Sequence, residues 1–306
     1  MSPVLRWAGA IAGVVVTLAI LAPAYVYLAS EAVIERRYPL PAIGEPATPT
    51  PKMLARGGHV ILIMGCGLCH GADFMGRLIG RQTVLPVYAA NLLLASKALK
   101  DGEFERAVRA GIAPDATSLW RMPSGNYTYM SEDDLSAILF YLRGLPAAGH
   151  NWPQPKFDLP ARLAIVEGQL VPSVLEAAIS PSSLDLGPRY DGGRYIARVA
   201  CSQCHGADLS GSADGRAPDL KVISNYDRPA FFDLLRRGIG AHGRRVAAMA
   251  WLARDQFHVF ADYEIMALYD YLDARRKAPP DVVARANANA ARHHTASEKI
   301  FQRFPE

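Results

Sequence analysis

The chain has 306 residues, half of them hydrophobic and a fifth charged. That length suits two or three domains, and that composition excludes a globally disordered chain. The net charge of +4 comes without a block of like charges, which speaks against a nucleic-acid binder, and four cysteines are too few for a disulfide-dense secreted scaffold.

The first predicted element is a helix over Trp7 to Ser30, 24 residues without a charge. At 1.5 Å per residue it reaches roughly 36 Å, enough to cross a bilayer's hydrocarbon core. Tyr25 and Tyr27 sit near its far end as interfacial aromatics do. The rival is a cleaved signal peptide, with Ala22-Pro23-Ala24 offering small residues at the cleavage spacing. Arg36 and Arg37 follow the run, against the positive-inside rule. Residues 1–36 are therefore read as anchor (or signal) and flank. Residues 37–52, with five prolines, read as an extended tether.

An internal repeat follows. Cys69-His70-Gly71-Ala72-Asp73 returns as Cys204-His205-Gly206-Ala207-Asp208. Gly57-Gly58 stand before the first copy as Gly192-Gly193 stand before the second. Downstream, Phe104, Arg109, Gly111 and Met122 match Phe231, Arg236, Gly238 and Met249. Two copies of about 90 residues suggest a duplicated domain rather than a solenoid. Each copy ends in an amphipathic helix: Leu135, Ile138, Leu139 and Leu142, then Ile265, Leu268, Tyr269 and Leu272, follow the i, i+3, i+4, i+7 spacing. Ser131 is the expected N-cap of the first. No long alternating strand pattern is present, so the units read as all-α with long loops, and loops of that length suit a chain wrapping a large ligand. The expected boundaries are 53–146 for the first unit, 147–187 for a linker, 188–278 for the second unit and 279–306 for a polar tail.

All four cysteines lie in Cys66-Gly67-Leu68-Cys69-His70 and Cys201-Ser202-Gln203-Cys204-His205. C-x-x-C-H is the attachment signature of c-type haem. Two cysteines three apart share one side of a helical turn, where they can form thioethers to one edge of a porphyrin, and the adjacent histidine can ligate the iron. At this composition one such motif arises by chance in roughly one chain per thousand, so two are not coincidence. A zinc site shared by the four cysteines would leave both histidines unexplained, and a dithiol redox pair would want a βαβ setting. The sixth ligands are expected to be Met122 and Met249, because each recurs in register with its motif; His242 and His258 are rivals at the second site. Met130 and Met266 read as packing residues.

These residues together resemble membrane-anchored dihaem cytochromes c built from two class I modules, like the cytochrome subunits of periplasmic dehydrogenases. The resemblance covers about 53–146 and 188–275. It implies two covalently bound haem c groups, an all-α fold after a transmembrane helix, and an electron carrier rather than an enzyme. It implies a crossing of the first and last helices of each unit, with Gly58 near Tyr141 and Gly193 near Tyr271. It also implies that a backbone carbonyl orients each proximal histidine: Pro218 in Ala217-Pro218-Asp219-Leu220, and Ala90 in the divergent Ala89-Ala90-Asn91-Leu92. The missing proline after Met249 implies a less fixed loop there. Haem domains of this kind face the periplasm, or the outer face of the cell membrane, and serve a dehydrogenase, an oxidase or a small cytochrome as redox partner. A dihaem peroxidase or thiosulfate-oxidising cytochrome is the alternative. Arg244 and Arg245, close before Met249, give the expectation that the second haem has the higher potential.

Overall fold

The computed structural model describes residues 3–41, 48–178, 180, 183–212, 215–279 and 282. The expected polar tail lies, apart from its first residue and residue 282, outside the described residues. The first helix, α1 (Pro3–Ile34), is longer at both ends than the sequence pattern suggested, with a mean hydropathy of 2.2 over its most apolar window and none of that window buried.

Helices α2 (Pro51–Ile63) and α3 (Cys66–His70) open the first unit. The chain then forms a short hairpin, β1 (Leu78–Ile79) with β2 (Val87–Tyr88), antiparallel and in register Leu78 to Tyr88. Then come α4 (Leu92–Ala98), α5 (Asp101–Glu105), α6 (Ser124–Tyr127) and α7 (Glu132–Gly144). Among the described residues no other strand is formed, so the all-α expectation holds. Helix α7 starts where its sequence says: the Ser131 hydroxyl accepts from the Asp134 N–H at 3.2 Å, satisfying one of the orphan donors of the first turn.

Helices α8 (Leu159–Val166) and α9 (Ser173–Ala178) lie between the units. The second unit holds α10 (Asp191–Ile196), α11 (Ser202–His205), α12 (Arg228–Arg237), α13 (Ala247–Asp255) and α14 (Asp262–Lys277).

In each unit the first and last helices cross with backbones in contact. A Cβ on Gly57 would stand 2.0 Å from the Ala137 carbonyl oxygen and 2.7 Å from Tyr141 Cβ; one on Gly193 would meet Ala267 O and Tyr271 Cβ at the same two distances. Only glycine permits that approach. The structural partner of Gly193 is thus Gly57, not Gly58, although Gly58 also faces the Tyr141 ring. The second unit therefore carries one residue fewer between its crossing glycine and its first cysteine. The second unit winds as a π-helical turn over Ala197–Cys201, whereas the first unit turns through Met64 and Gly65, the latter at φ 69°.

Two main cores result. Val60, Ile61, Phe104, Leu135, Ile138 and Leu142 anchor one; Ile196, Phe231, Leu235, Ile265, Leu268 and Tyr271 anchor the other. They exchange residues: Ile63 of α2 packs in the second core, and Val199 of the π-turn packs in the first. The seam between them is polar as well as apolar. His59 Nε2 lies 3.0 Å from both carboxylate oxygens of Glu264, and the Tyr195 hydroxyl donates to buried Asp134 at 2.7 Å.

Residues 147–178 of the stretch expected as a linker form a strap against the first unit, while Leu184 O accepts from the Tyr271 hydroxyl of the second at 3.0 Å. Trp152 stacks on Tyr88 at 4.6 Å and donates to the Met75 carbonyl at 2.8 Å. Arg162 of α8 ties the strap to the end of α1, through the Tyr27 ring, the Ser30 hydroxyl and the Glu31 carboxylate at 4.1, 2.9 and 2.6 Å. The start of the expected tether is held too: Tyr38 is buried and its N–H donates to Ala116 O at 2.8 Å.

Candidate haem sites

Both C-x-x-C-H motifs end in short helices, α3 and α11, that stop at Gly71 and Gly206 with φ near 80°. The chain then turns back in the same way. Gly76 N–H donates to His70 O at 2.7 Å, and Gly211 N–H to His205 O at 2.8 Å. Phe74 and Leu209, both buried, occupy the left-handed region at φ 59° and 64°. Bulky residues rarely adopt it, so its recurrence marks a loop whose shape is imposed by the site.

That loop delivers a carbonyl to each histidine. His70 Nδ1 lies 2.7 Å from Ala90 O, and His205 Nδ1 lies 2.8 Å from Pro218 O. A carbonyl only accepts, so Nδ1 carries the proton and Nε2 keeps a free lone pair. Burial lowers the His70 pKa, against the opposing pull of the Ala90 bond, which favours the neutral ring an iron requires. The divergent Ala90 thus supplies the same bond as Pro218. Its loop is held by Asn91, which caps α4 and donates to Ala148 O of the strap at 2.7 Å.

Around His70 the chain leaves a cavity of about 640 Å³, within the roughly 300–1,000 Å³ of cofactor sites. Cys69, His70, Ala90, Met122 and Trp120 line it. A second, tighter hollow shares Cys69, His70 and Met122 and adds Cys66, Leu92, Phe104, Tyr127, Met130 and Ile138. The structure therefore brings Cys69, His70 and Met122 to both hollows, with Cys66 at the tighter one and Ala90 at the larger. At the second site, Cys201 and Met249 pack against the same core, and His205 is held by Pro218. Met249 does not sit on a free loop: it lies in α13, whose helical backbone replaces the constraint that Pro123 gives Met122. Both rival histidines are exposed, His242 in a tight turn at φ 67° and His258 on the surface.

Burial pushes the Cys66 and Cys201 thiols up to about 12, each reinforced by its neighbouring cysteine. Among the described residues no three His, Cys, Asp or Glu side chains gather as a metal site. Covalent attachment removes the ionisable proton altogether, so the donor set and its apolar surroundings fit haem c.

Several residues at the first site carry no repeat to reveal them. Tyr127 lines the hollow and donates to the Met64 carbonyl at 2.8 Å, and Met130, which reads as a packing residue, also borders it. Gln203, from the second motif, borders the first site. The repeated arginines play one structural part in both units. Arg109 donates to Met130 O and Glu132, and Arg236 to His258 O and Asp262 at 2.7 and 2.9 Å, fastening the segment before each last helix.

A helical chain with paired cysteines, a carbonyl-held histidine and a methionine about one apolar space has the make-up of a c-type cytochrome. Known proteins agree. The chain is 21% identical over 266 residues to the cytochrome c subunit of alcohol dehydrogenase (quinone) of Gluconacetobacter polyoxogenes, over 74% of its own length and 57% of the relative's. The same subunit from Komagataeibacter europaeus gives the same figures. The gluconate 2-dehydrogenase cytochrome c subunit of Pantoea cypripedii is 25% identical, over 72% of this chain and 59% of the relative. The chain thus spans under three fifths of the relatives' length. No family model matches it.

Proposed function

We propose that the chain is a membrane-anchored dihaem c-type cytochrome, with haem units at 53–146 and 188–278, that carries electrons from a dehydrogenase or other membrane donor to an acceptor such as an oxidase or small cytochrome. The observation that carries this reading is the doubled geometry of Cys-x-x-Cys-His with its carbonyl-held imidazole. The similarity to dehydrogenase cytochrome subunits supports the choice of donor. The apolar α1 supports the anchor, and the chemistry of haem attachment supports a periplasmic side for its C-terminal end and both units.

Haem c, when bound, supplies one reversible electron per site. Everything else falls to the chain. Cys66 with Cys69, and Cys201 with Cys204, would hold the porphyrin edge. His70 and His205 would present Nε2 to the metal, oriented by Ala90 and Pro218. Met122 and Met249 would give soft thioether ligands, which favour the reduced state and raise the potential. Phe104, Ile138 and Leu142 exclude water and resist the added charge of the oxidised state.

A pyridine haemochrome assay on the purified chain should give two haems resistant to acid acetone. The reduced protein should neither bind carbon monoxide nor turn over peroxide appreciably, because both methionines close their sites. One haem per chain, or fast peroxide reduction, would sink the proposal. The anchor is tested separately: the protein should stay with membranes after a carbonate wash.

A further inference from the structure

The two residues between the cysteines of a C-x-x-C-H motif take no part in attachment or ligation. Here one of them has a definite place. Gln203, between Cys201 and Cys204, borders the first-site hollow together with Cys66, Cys69, His70 and Met122. It also borders the cleft of about 460 Å³ at the seam, beside Arg121, Asn126 and Ser202.

The contact is built rather than incidental. Ser202, almost fully buried, sets its hydroxyl 3.0 Å from Asn126 Oδ1. Arg198, equally buried, donates to Gly125 O at 2.6 Å. Gly125 and Asn126 belong to α6, which begins two residues after Met122. The second attachment segment is therefore fastened to the methionine loop of the first site. The fastening is reciprocal: Gln256, buried beside the second core, donates to Ile63 O at 2.5 Å, and its Nε2 lies 2.9 Å from where a Cβ on Gly65 would stand, next to Cys66.

We propose that Gln203 is a shared wall through which the attachment side of the second site abuts the first, so that the two haems exchange electrons directly inside one chain. This rests on the dihaem reading. One electron moves, one site is oxidised as the other is reduced, and no bond or proton is exchanged. Gln203 acts as a positioning residue: it fills the space between the sites and fixes their approach.

The test uses the full chain in detergent. Two chromophores held this close couple, so the Soret circular dichroism of the intact protein should show a two-signed couplet. It should differ from the sum of the Cys66→Ala/Cys69→Ala and Cys201→Ala/Cys204→Ala spectra. A second variant does not depend on those chains folding. Gln203→Glu places a carboxylate in the first-site wall, and should lower the first-site midpoint at least as much as the second. Met122→His and Met249→His, each lowering its own site, assign the two midpoints. Two haems with an additive Soret spectrum, or a Gln203→Glu shift confined to the second site, would overturn the proposal and leave the dihaem reading intact. One haem per chain would overturn both.

Discussion

The two units build the same site inside different casings. The histidine–carbonyl bonds are 2.7 Å in the first unit and 2.8 Å in the second, and the left-handed Phe74 and Leu209 take the same place in the loop. Yet the first unit reaches its motif through Gly65 and is wrapped by a strap, whereas the second reaches it through a π-turn and keeps its methionine on a helix. The difference teaches which parts the site dictates. The loop that orients the imidazole repeats its hydrogen bonds from one unit to the other. The approach to it, and the packing behind the methionine proposed as sixth ligand, can be rebuilt.

The sharpest way to break this comparison lies at the helix crossings. Sequence matching pairs Gly57 with Gly192, but the backbone contacts pair it with Gly193. Gly193→Ala and Gly57→Ala each force a Cβ to 2.0 Å of a carbonyl oxygen, and should cost about 3 kcal/mol or more. Gly192→Ala meets nothing within 4 Å and sits in a helix, so it should be neutral or stabilise by about 0.5–1 kcal/mol. Thermal melts of the three variants check this. Equal destabilisation by Gly192→Ala and Gly193→Ala would mean that Gly193 alone is not the crossing glycine of the second unit.

Next in size is Ile63→Ala. Ile63 belongs by sequence to the first unit and by packing to the second. Its loss should cost about 2–5 kcal/mol and lower the melting temperature of the second unit more than that of the first. Unfolding followed at each site's own absorbance would read it. A loss confined to the first unit would mean that the cores are separate.

Much of this was legible beforehand. The motif spacing singles out the cysteines and histidines proposed to hold haem, and the 3.6-residue period with Ser131 placed α7. The carbonyls of Ala90 and Pro218 were legible by resemblance to a family's loop. The π-turn was not, because a one-residue shift leaves every motif intact and shows only in how the backbone winds. Nor were the roles of Gln203, Ile63 or the strap, since contacts between distant segments leave no local period. The sequence reads 147–187 only as a linker, whereas Trp152, Asn91 and Arg162 fasten its earlier part.

Tyr195→Phe should be milder. It removes the 2.7 Å bond to Asp134, but Asp134 keeps its ion pair with Arg56. A cost of about 1.5–3 kcal/mol is expected, as for one hydrogen bond to a charged partner. Asp134→Ala should cost more, since it strips both groups at once. A double-mutant cycle between Tyr195 and Asp134 across the seam measures the bond itself, and zero coupling would show that the seam is held by its apolar contacts alone.

The smallest effect concerns Arg244 and Arg245, from which a higher potential at the second site was expected. Both side chains are exposed, and the Arg244 carbonyl serves the turn by accepting from Gly240 N–H at 2.7 Å. An exposed guanidinium faces water and counterions, which screen it over roughly 8 Å at physiological ionic strength. The sign of the effect stands: a positive charge opposes the extra charge of the oxidised site, so removing it lowers the midpoint. Its size should be small, and it should shrink further as salt rises. Arg244→Ala/Arg245→Ala should therefore move the second midpoint less than Gln203→Glu moves the first, and the shift should fade between low and high ionic strength. Redox titration at two salt concentrations decides it. A large shift that salt does not reduce would place the arginines against the haem edge, and the second unit would then differ from the first in its charge as well as its casing.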